Sequence, residues 1–305
     1  MLHPIEILHW LEVVRNRPRG EVDPGAFWSL YEHDERPLTG MPASLAAAPH
    51  GPALLVVVTT YKRPEACAAL LASLEVALQS VPRRHVLVLN DRADADYGET
   101  KRAAAARFGA DLTWLDARER LGKPGFWKSY QTAFLAAAQL APAHALFLQD
   151  DVDFAPTLLA DVAERWRATD HDRRRRVLYL FSSDDDERLG RWVPFRRRDV
   201  GHGLRLTQWL DLQAFYVDRA FFELLAYRMV PIHSNRFRRR PWISSGVGAQ
   251  LTRRLFRRGH VYQAYPPLVG HGALASEMNV GARRFRSLDN RALREADTKV
   301  EPSDD

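Results

Sequence analysis

The feature that most constrains the fold is a regular alternation of short apolar runs and helix-patterned segments, which begins at Leu54. Leu54–Thr60 is apolar and rich in β-branched residues, as expected for a strand that is buried on both faces. Segments 65–79, 97–108 and 126–140 have apolar residues at helical spacing, and an apolar run of strand length follows each of them. These runs are residues 85–90, 112–115 and 145–149. The β-α-β order predicts an α/β fold with a doubly wound, mostly parallel sheet flanked by helices.

The second half of the chain continues this alternation less regularly. It predicts helices at 156–168, 219–228 and 244–258, and strands at 177–181, 211–217 and 261–264. Residues 5–14 have helical spacing and precede a stretch rich in Pro and Gly. We therefore expect an N-terminal helical extension (1–50), two halves of one domain (51–155 and 156–281), and a charged tail (282–305).

Composition excludes several classes of protein. The 305 residues carry 44 Lys and Arg against 38 Asp and Glu, and this net charge of +6 favours anionic partners. The single cysteine, Cys67, excludes an internal disulfide and a cysteine-rich zinc site. No apolar stretch reaches the roughly 20 residues needed to span a bilayer, and no secretory signal is visible. We therefore expect a cytoplasmic protein.

Three carboxylates in four residues follow the fourth predicted strand. Asp150, Asp151 and Asp153 repel one another unless a cation or basic side chains compensate them. Carboxylate oxygens suit Mg²⁺ or Mn²⁺ held together with substrate phosphates. Alternation along an extended segment places Asp151 and Asp153 on one face and Asp150 on the other. The alternative is a solvated turn, in which Asp153 caps the helix that begins at Pro156.

Polar residues also follow the first two predicted strands, at the edge where such sheets bind ligands. Residues 55–64 read Leu-Val-Val-Val-Thr-Thr-Tyr-Lys-Arg-Pro, the second strand ends in Asn90-Asp91, and residues 121–128 read Leu-Gly-Lys-Pro-Gly-Phe-Trp-Lys. Together with Asp151-Val152-Asp153, these segments resemble GT-A-fold, nucleotide-sugar-dependent glycosyltransferases of the bacterial family-2 type. In that family, the segment that corresponds to 55–64 is the opening strand and base-binding loop, and the aspartates that correspond to Asn90-Asp91 contact the base or ribose. The segment that corresponds to 121–128 contains glycine and precedes the donor-side helix. Asp151-Val152-Asp153 corresponds to the metal-binding Asp-x-Asp.

The resemblance implies a set of ligand-binding residues. Those expected to contact the donor are Thr59, Tyr61, Arg63, Asn90, Asp91, Lys123 and Asp151. A Mn²⁺ or Mg²⁺ ion would be held by Asp151, Asp153 and His271. His271 lies in a proline-flanked segment, 265–272, similar to one that brings a histidine to the metal or diphosphate in several GT-A families. A hydrogen-bonded loop histidine is an equal alternative there.

The catalytic base is left open. Many GT-A families have an acid in the stretch that corresponds to residues 242–249, but this sequence has no carboxylate there. The candidates are Asp211 and, after the strand at 177–181, Asp184 and Asp185. A buried, hydrogen-bonded structural role suits Asp211 as well.

The resemblance implies metal-dependent transfer of a sugar from a nucleoside diphosphate donor to a hydroxyl acceptor. UDP is the expected nucleotide because it is common in the family, and a glycan or lipid-linked precursor of a bacterial surface polymer is the expected acceptor. Residues 51–155 would bind the donor and 156–281 the acceptor.

Two alternative functions remain. A nucleotidyltransferase that makes NDP-sugars is less favoured, because residues 59–63 lack the glycines of its triphosphate loop. A non-catalytic, arginine-rich binder of membrane surfaces or nucleic acid is the other. The arginines concerned are clustered at 173–176, 196–198 and 236–240. A solvated surface is the first interpretation of these clusters, and docking on anionic lipid at the inner membrane face is the second. Contact with nucleic acid is the last, because no nucleic-acid-binding motif accompanies the arginines.

Overall fold

Strands from both halves of the chain join in a single ten-stranded sheet. The structure is a computed structural model, and it describes residues 22–32, 51–91, 95–182, 198–207, 212–232, 234, 237 and 245–271. The strands are β1 (Tyr31–Glu32), β2 (Leu54–Thr60), β3 (Arg84–Asn90), β4 (Leu112–Ala117), β5 (His144–Gln149), β6 (Val152–Phe154), β7 (Arg175–Tyr179), β8 (Arg198–Gly201), β9 (Leu204–Thr207), β10 (Ala214–Asp218), β11 (His260–Ala264) and β12 (Val269–His271). The helices are α1 (Pro24–Trp28), α2 (Pro64–Ala77), α3 (Gly98–Phe108), α4 (Gly122–Leu140), α5 (Leu158–Arg167), α6 (Arg219–Leu224) and α7 (Val247–Leu255), with 3₁₀ turns at Leu78–Ser80 and Gly109–Asp111.

The sheet order is β1-β4-β3-β2-β5-β10-β7-β11-β9-β8. Strands β4, β3, β2 and β5 are parallel neighbours, as are β7 and β11. Strand β10 lies antiparallel between β5 and β7, so those two strands run in the same direction. Only β1, β9 and β10 run against the other strands of the sheet as described. The predicted α/β fold with a mostly parallel sheet and flanking helices is therefore confirmed.

Aromatic side chains fill the layer between α4 and the centre of the sheet. Phe147 of β5 stacks on Phe215 of β10 with 4.6 Å between ring centroids, and Tyr130 of α4 stacks on Phe147 at 5.7 Å. Strand β2 is buried along its whole length, which explains its continuous apolar sequence. This core fixes β5, and the carboxylates that follow it, beside the end of β2.

Several predicted boundaries were wrong. Helix α4 begins at Gly122, not at Phe126, because Pro124 lies in the first turn, where its missing N–H is not needed. The strand expected at 211–217 corresponds to β10, which the structure gives as Ala214–Asp218. The helices expected at 219–228 and 244–258 are shorter, and they correspond to α6 (Arg219–Leu224) and α7 (Val247–Leu255). Gly246 adopts φ 81° immediately before α7 and so sets its start. The short strands β1, β6, β8 and β9 were not predicted. Strands β1 and β6 depend on distant partner strands, whereas β8 and β9 pair with each other as a local hairpin.

Part of the N-terminal segment packs on the sheet. Strand β1 pairs antiparallel with β4 and buries Tyr31, and Phe27 of α1 packs edge-on against Trp127 of α4 at 5.9 Å. The helix expected at 5–14 and the tail at 282–305 lie outside the described residues. None of the helices in the described ranges is both long and apolar enough to cross a membrane.

Candidate functional site

Polar side chains line the carboxyl ends of four parallel strands. Asn90 of β3 is paired in register with Thr60 of β2 and with Asp116 of β4. The Asp150 N–H donates to the Thr59 carbonyl at 3.1 Å, which places the end of β5 beside β2. Adjacent strands lie about 4.8 Å apart, so these residues form one row along the edge. We call Thr60, Asn90, Asp91, Asp116, Asp150 and Asp151 the strand-end cluster.

Asp150 is fixed by the loop that follows β2. Its Oδ2 accepts hydrogen bonds from Thr60 Oγ1 at 2.7 Å and from the Tyr61 N–H at 2.9 Å. The Tyr97 hydroxyl accepts from the Arg63 N–H at 2.9 Å and lies 2.7 Å from Thr60 Oγ1. Because the single Thr60 proton goes to Asp150, Tyr97 must donate to Thr60. Burial, with the Asp151 charge adding to it, raises the pKa of Asp150 to about 6 despite these hydrogen bonds.

Asp151 is neutralised by Arg63. The guanidinium Nη1 of Arg63 lies 2.7 Å from Asp151 Oδ2, and both side chains are only 9% exposed. Lys62 adopts φ 60° and Pro64 opens α2, so the chain turns tightly on either side of Arg63. The structure therefore brings together two of the predicted donor-binding residues as an ion pair: Arg63, which follows β2, and Asp151, which follows β5.

Asp91 holds the start of α4. Its two carboxylate oxygens accept from the Leu121 N–H at 2.6 Å and the Gly122 N–H at 2.7 Å. These N–H groups would otherwise lack partners at the helix N-terminus, where negative charge is favourable. Burial raises the pKa of Asp91, although the two N–H donors oppose the shift. Contact between Asp91 and a donor stays a prediction. Lys123 follows in the same turn, and partial burial lowers its pKa.

Asp116 extends the cluster and was missed by the sequence analysis. Its Oδ1 accepts from Asn90 Nδ2 at 2.8 Å and Trp114 Nε1 at 2.7 Å, and its Oδ2 from Lys101 Nζ at 3.1 Å. Burial acts to raise the pKa of Asp116, but these hydrogen bonds outweigh it and leave the pKa below its usual value. The sequence contained a signal for it, because Asp116 is a polar residue that directly follows the predicted strand 112–115, at the edge where such sheets bind ligands. Asn90 Oδ1 is buried and accepts no hydrogen bond from the residues that the structure describes.

The late segment lies beside the Asp-x-Asp sequence. Strand β12 pairs antiparallel with β6, and the register sets Gly270 opposite Asp153 and His271 opposite Val152. Asp153 is exposed, whereas Asp150 and Asp151 form a turn before β6. Side-chain alternation therefore begins only at Val152. The backbone of His271 is close to the expected metal ligands, and its role as a ligand stays a prediction.

The donor atoms here suit a cation that the substrate helps to bind. Within the described residues, no three His, Cys, Asp or Glu side chains lie close enough to hold a metal ion by themselves. Asp151 and Asp153 offer two carboxylates at the strand ends, and Mg²⁺-type sites often use one or two carboxylates completed by phosphate and water. The residues present fit such an ion. The candidate bases Asp184, Asp185 and Asp211 lie outside the described residues.

Comparison with known proteins gives matches to solved structures only. No family model matches the chain, and no curated protein sequence matches it. Among solved structures, it is similar to the mannosyltransferase PcManGT from Pyrobaculum calidifontis in complex with GDP-Man and Mn²⁺, at 15% identity and a TM-score of 0.48, covering 84% of this chain and 61% of that one. It is also similar to S. aureus TarS 1–349 in complex with UDP-GlcNAc, at 17% identity and a TM-score of 0.44, covering 75% and 61%. A mycobacterial protein matches at 15% identity and a TM-score of 0.44, covering 79% and 74%. The chain thus spans less than two thirds of the length of the first two structures.

Proposed function

We propose that this protein is a glycosyltransferase that moves a sugar from a nucleoside diphosphate donor to a hydroxyl acceptor. The observation that carries the proposal is the meeting of the loop after β2 with the carboxylates after β5. There Thr60 and Tyr61 hold Asp150, and Arg63 pairs with Asp151 at 2.7 Å. This is the ligand-binding edge of a parallel sheet, and it carries both signs of charge.

The donor's nucleoside would bind on the β2–β4 side of the strand-end cluster. Asn90 Oδ1 is a buried acceptor there, and an N–H of the base or an O–H of the ribose would satisfy it. Thr59 and Tyr61 are the other proposed contacts on this side. Lys123, in the first turn of α4, would reach the diphosphate as a cation.

Asp151 and Asp153 would hold Mn²⁺ or Mg²⁺, with His271 proposed as a third ligand. When bound, the cation supplies positive charge to the diphosphate as it leaves. The two carboxylates and the phosphate oxygens together make the set of hard oxygen ligands that these ions prefer.

Arg63 would act as the counter-ion of Asp151 in the free protein and as a diphosphate ligand in the complex. A cation bound to Asp151 competes with Arg63 for the same carboxylate charge, so cation binding favours release of the guanidinium. Once released, its planar donors match two phosphate oxygens. Donor and cation would then bind in a coupled manner, each favouring the arrangement that the other needs.

The proposed chemistry exchanges one C–O bond for another. The acceptor oxygen bonds to the anomeric carbon, the bond from that carbon to the diphosphate breaks, and its electron pair leaves with the diphosphate. The hydroxyl proton passes to a base, for which Asp184, Asp185 and Asp211 remain the candidates. Gln213, two residues after Asp211, accepts a hydrogen bond from the Gln149 N–H at 2.9 Å, so the chain enters β10 beside the end of β5.

UDP is the proposed nucleotide, and a glycan or lipid-linked surface precursor is the proposed acceptor. Nucleotide identity can be tested without knowing the acceptor. Thermal unfolding is measured with UDP, GDP, CDP and dTDP, each with Mn²⁺ or with EDTA. A ligand at about 100 times its Kd adds about 2.7 kcal/mol to the unfolding free energy. We expect one diphosphate to raise the Tm by several degrees in Mn²⁺ and much less in EDTA.

The matched variants are Asp153→Asn, at a proposed metal ligand in β6, and Glu164→Gln on the exposed face of α5. The first should lose the Mn²⁺-dependent shift, and the second should keep it. If no diphosphate raises the Tm of the unmodified protein, or if Asp153→Asn retains the full shift, the proposed donor site is wrong.

A further inference from the structure

A second charged feature lies at the amino ends of β7 and β11. Arg173 and Arg174 precede β7, and Arg257 and Arg258 precede β11; all four are exposed. Phe256 follows the last residue of α7 and precedes these last two arginines in the sequence, and 44% of its surface is exposed. We call these five residues the arginine end.

Hydrogen bonds link the two loops of the arginine end. The Arg174 guanidinium donates to the Arg257 carbonyl, and the Arg257 guanidinium lies 5.2 Å from the centroid of the Phe256 ring. The guanidinium of Arg254, in the last turn of α7, donates to the Arg228 carbonyl. Burial first, and the charge of Arg258 second, lower the pKa of Arg254 to about 10. Positive charge is therefore concentrated here.

The neighbouring acids are already occupied. Asp172 accepts from the Tyr262 hydroxyl at 2.7 Å and lies 2.6 Å from His260 Nδ1, while Asp170 pairs with Arg175. Among the described residues, Arg173, Arg257 and Arg258 form no ion pair with an acid. The four exposed arginines outnumber Asp172, whose carboxylate also accepts from the Arg174 N–H at 2.8 Å, and they leave net positive charge at this end of the molecule.

The arginine end is separate from the strand-end cluster. Strands β7 and β11 run in the same direction as β2, β3 and β5, so their amino ends lie at the opposite edge of the sheet. Strands β7 and β11 have five residues each, which is a length of about 17 Å. The arginine end therefore cannot be part of the donor site, and the proposed function does not account for it.

We propose that the arginine end docks the protein on an anionic membrane surface, with the Phe256 ring at the level of the lipid headgroups. Guanidinium groups bind phosphate with paired donors, and an exposed aromatic ring among basic residues suits the interface between headgroups and acyl chains. Single-stranded nucleic acid is instead bound on several stacked aromatic rings, and the arginine end offers one. The inference stands whether or not the protein transfers sugars.

Docking in this orientation has a consequence for the candidate site. The strand-end cluster faces away from the bilayer, open to water-soluble donors. An acceptor must then be soluble, or must extend tens of ångströms from the membrane on which the protein is docked.

The test is flotation of the full chain with vesicles of phosphatidylcholine alone, or with 30% phosphatidylglycerol, at about 0.1 M salt. The variants are Arg257→Gln/Arg258→Gln and Phe256→Ser. The matched control is Arg102→Gln/Arg107→Gln on α3, which removes the same charge elsewhere. Each basic residue near such a surface contributes about a factor of five to binding. Equal Tm values for all variants exclude misfolding.

We expect binding only to the anionic vesicles. The Arg257/Arg258 variant should bind about 25-fold more weakly, and the α3 control within twofold of the unmodified protein. Phe256→Ser should bind about 5-fold more weakly even when salt is raised, because it loses apolar contact and not charge. No binding to anionic vesicles, or equal loss in the α3 control, would overturn the proposal. It would also fail if a short RNA or DNA displaced the protein from the vesicles and the Arg257/Arg258 variant lost that nucleic-acid binding.

Discussion

Three nearly adjacent carboxylates coexist in this protein because each has a different environment. Asp150 is buried and accepts hydrogen bonds from Thr60 and Tyr61, Asp151 pairs with Arg63, and Asp153 is exposed to solvent. Hydrogen bonds, an ion pair and water thus each compensate one group. Of these three aspartates, Asp151 is the one that pairs with a cationic side chain, which competes with a bound cation, and this makes Arg63 the most informative residue of the site.

Arg63→Ala is therefore expected to have opposite effects on two ligands. Without its competitor, Asp151 should bind Mn²⁺ about 5- to 20-fold more tightly in the absence of nucleotide. Affinity for the diphosphate should fall about 10- to 100-fold, since a hydrogen bond to a charged group contributes about 1.5–3 kcal/mol. Calorimetric titrations of Mn²⁺ alone, and of diphosphate in Mn²⁺, measure both effects. Arg102→Ala is the control, and weaker binding of Mn²⁺ to Arg63→Ala would contradict the account.

At the scale of single residues, the sequence predicts which charged side chains need compensation better than it predicts which side chains are in contact. Repulsion among the three aspartates alone indicates a compensating cation, and Arg63 was among the expected donor-binding residues. The Tyr97 and Asp116 interactions were not foreseen. Tyr97 meets Thr60 across 37 positions of sequence, and Asp116 meets Asn90 across 26, so both depend on how strands and helices pack.

At the scale of elements, the junction between β3 and α4 is held by one side chain. Asp91 follows β3 and accepts hydrogen bonds from two N–H groups at the start of α4, and α4 carries aromatic residues that pack on β5 and β10. This carboxylate therefore links the edge of the sheet to the helix that carries part of the aromatic core. Asp91 therefore has a structural role in addition to its proposed contact with the donor.

Asp91→Ala should lower the unfolding free energy by about 1–3 kcal/mol, because it leaves buried N–H groups without acceptors. Asp96→Ala provides a matched comparison. Asp96 accepts from the Gly98 N–H at the start of α3, but it is exposed, so its loss should cost about 1 kcal/mol or less. Urea denaturation of both variants measures the difference. Equal costs would show that Asp91 is not a buried cap.

The elements with a regular apolar pattern of their own were predictable. Apolar runs and helical spacing marked β2, β3, β4, β5, α2 and α3, because each buries its own regular pattern. Strand β10 was placed approximately, but its direction was not predictable. Antiparallel insertion between β5 and β7 depends on Phe215 stacking on Phe147, a contact between residues far apart in sequence.

At the scale of the whole molecule, buried titratable groups set how stability changes with pH. His85 of β3 is buried, and burial lowers its pKa to about 4, from 6.5 in the unfolded chain. Between these values the unfolded state binds a proton and the folded state does not. The stability from neutral His85 is thus complete above pH 6.5 and is lost as pH falls through 4, by up to about 3 kcal/mol. Asp150, whose pKa is raised to about 6, acts in the opposite sense over part of this range.

A difference measurement isolates the His85 contribution. His85→Gln removes the titration while keeping a polar group near Thr113 Oγ1, which lies 2.9 Å from His85 Nε2. The unfolding free energy of the unmodified protein should fall more steeply between pH 6.5 and 4.5, by up to about 1.4 kcal/mol per pH unit. Urea denaturation at several pH values, in EDTA, gives both slopes. Parallel slopes would mean that His85 titrates normally in the folded state.

The central claim is that the strand-end cluster activates a nucleotide sugar, and release of nucleoside diphosphate tests it most directly. The protein is incubated with UDP-, GDP-, CDP- and dTDP-sugars, with water as the default acceptor, in Mn²⁺ or in EDTA. The account predicts release from one donor, dependent on Mn²⁺ and at least about 100-fold slower in Asp151→Asn, as is typical when charge stabilisation of a transition state is lost. Release at the same rate in Asp151→Asn, or firm binding of a nucleotide sugar with no release above that of the variant, would contradict it.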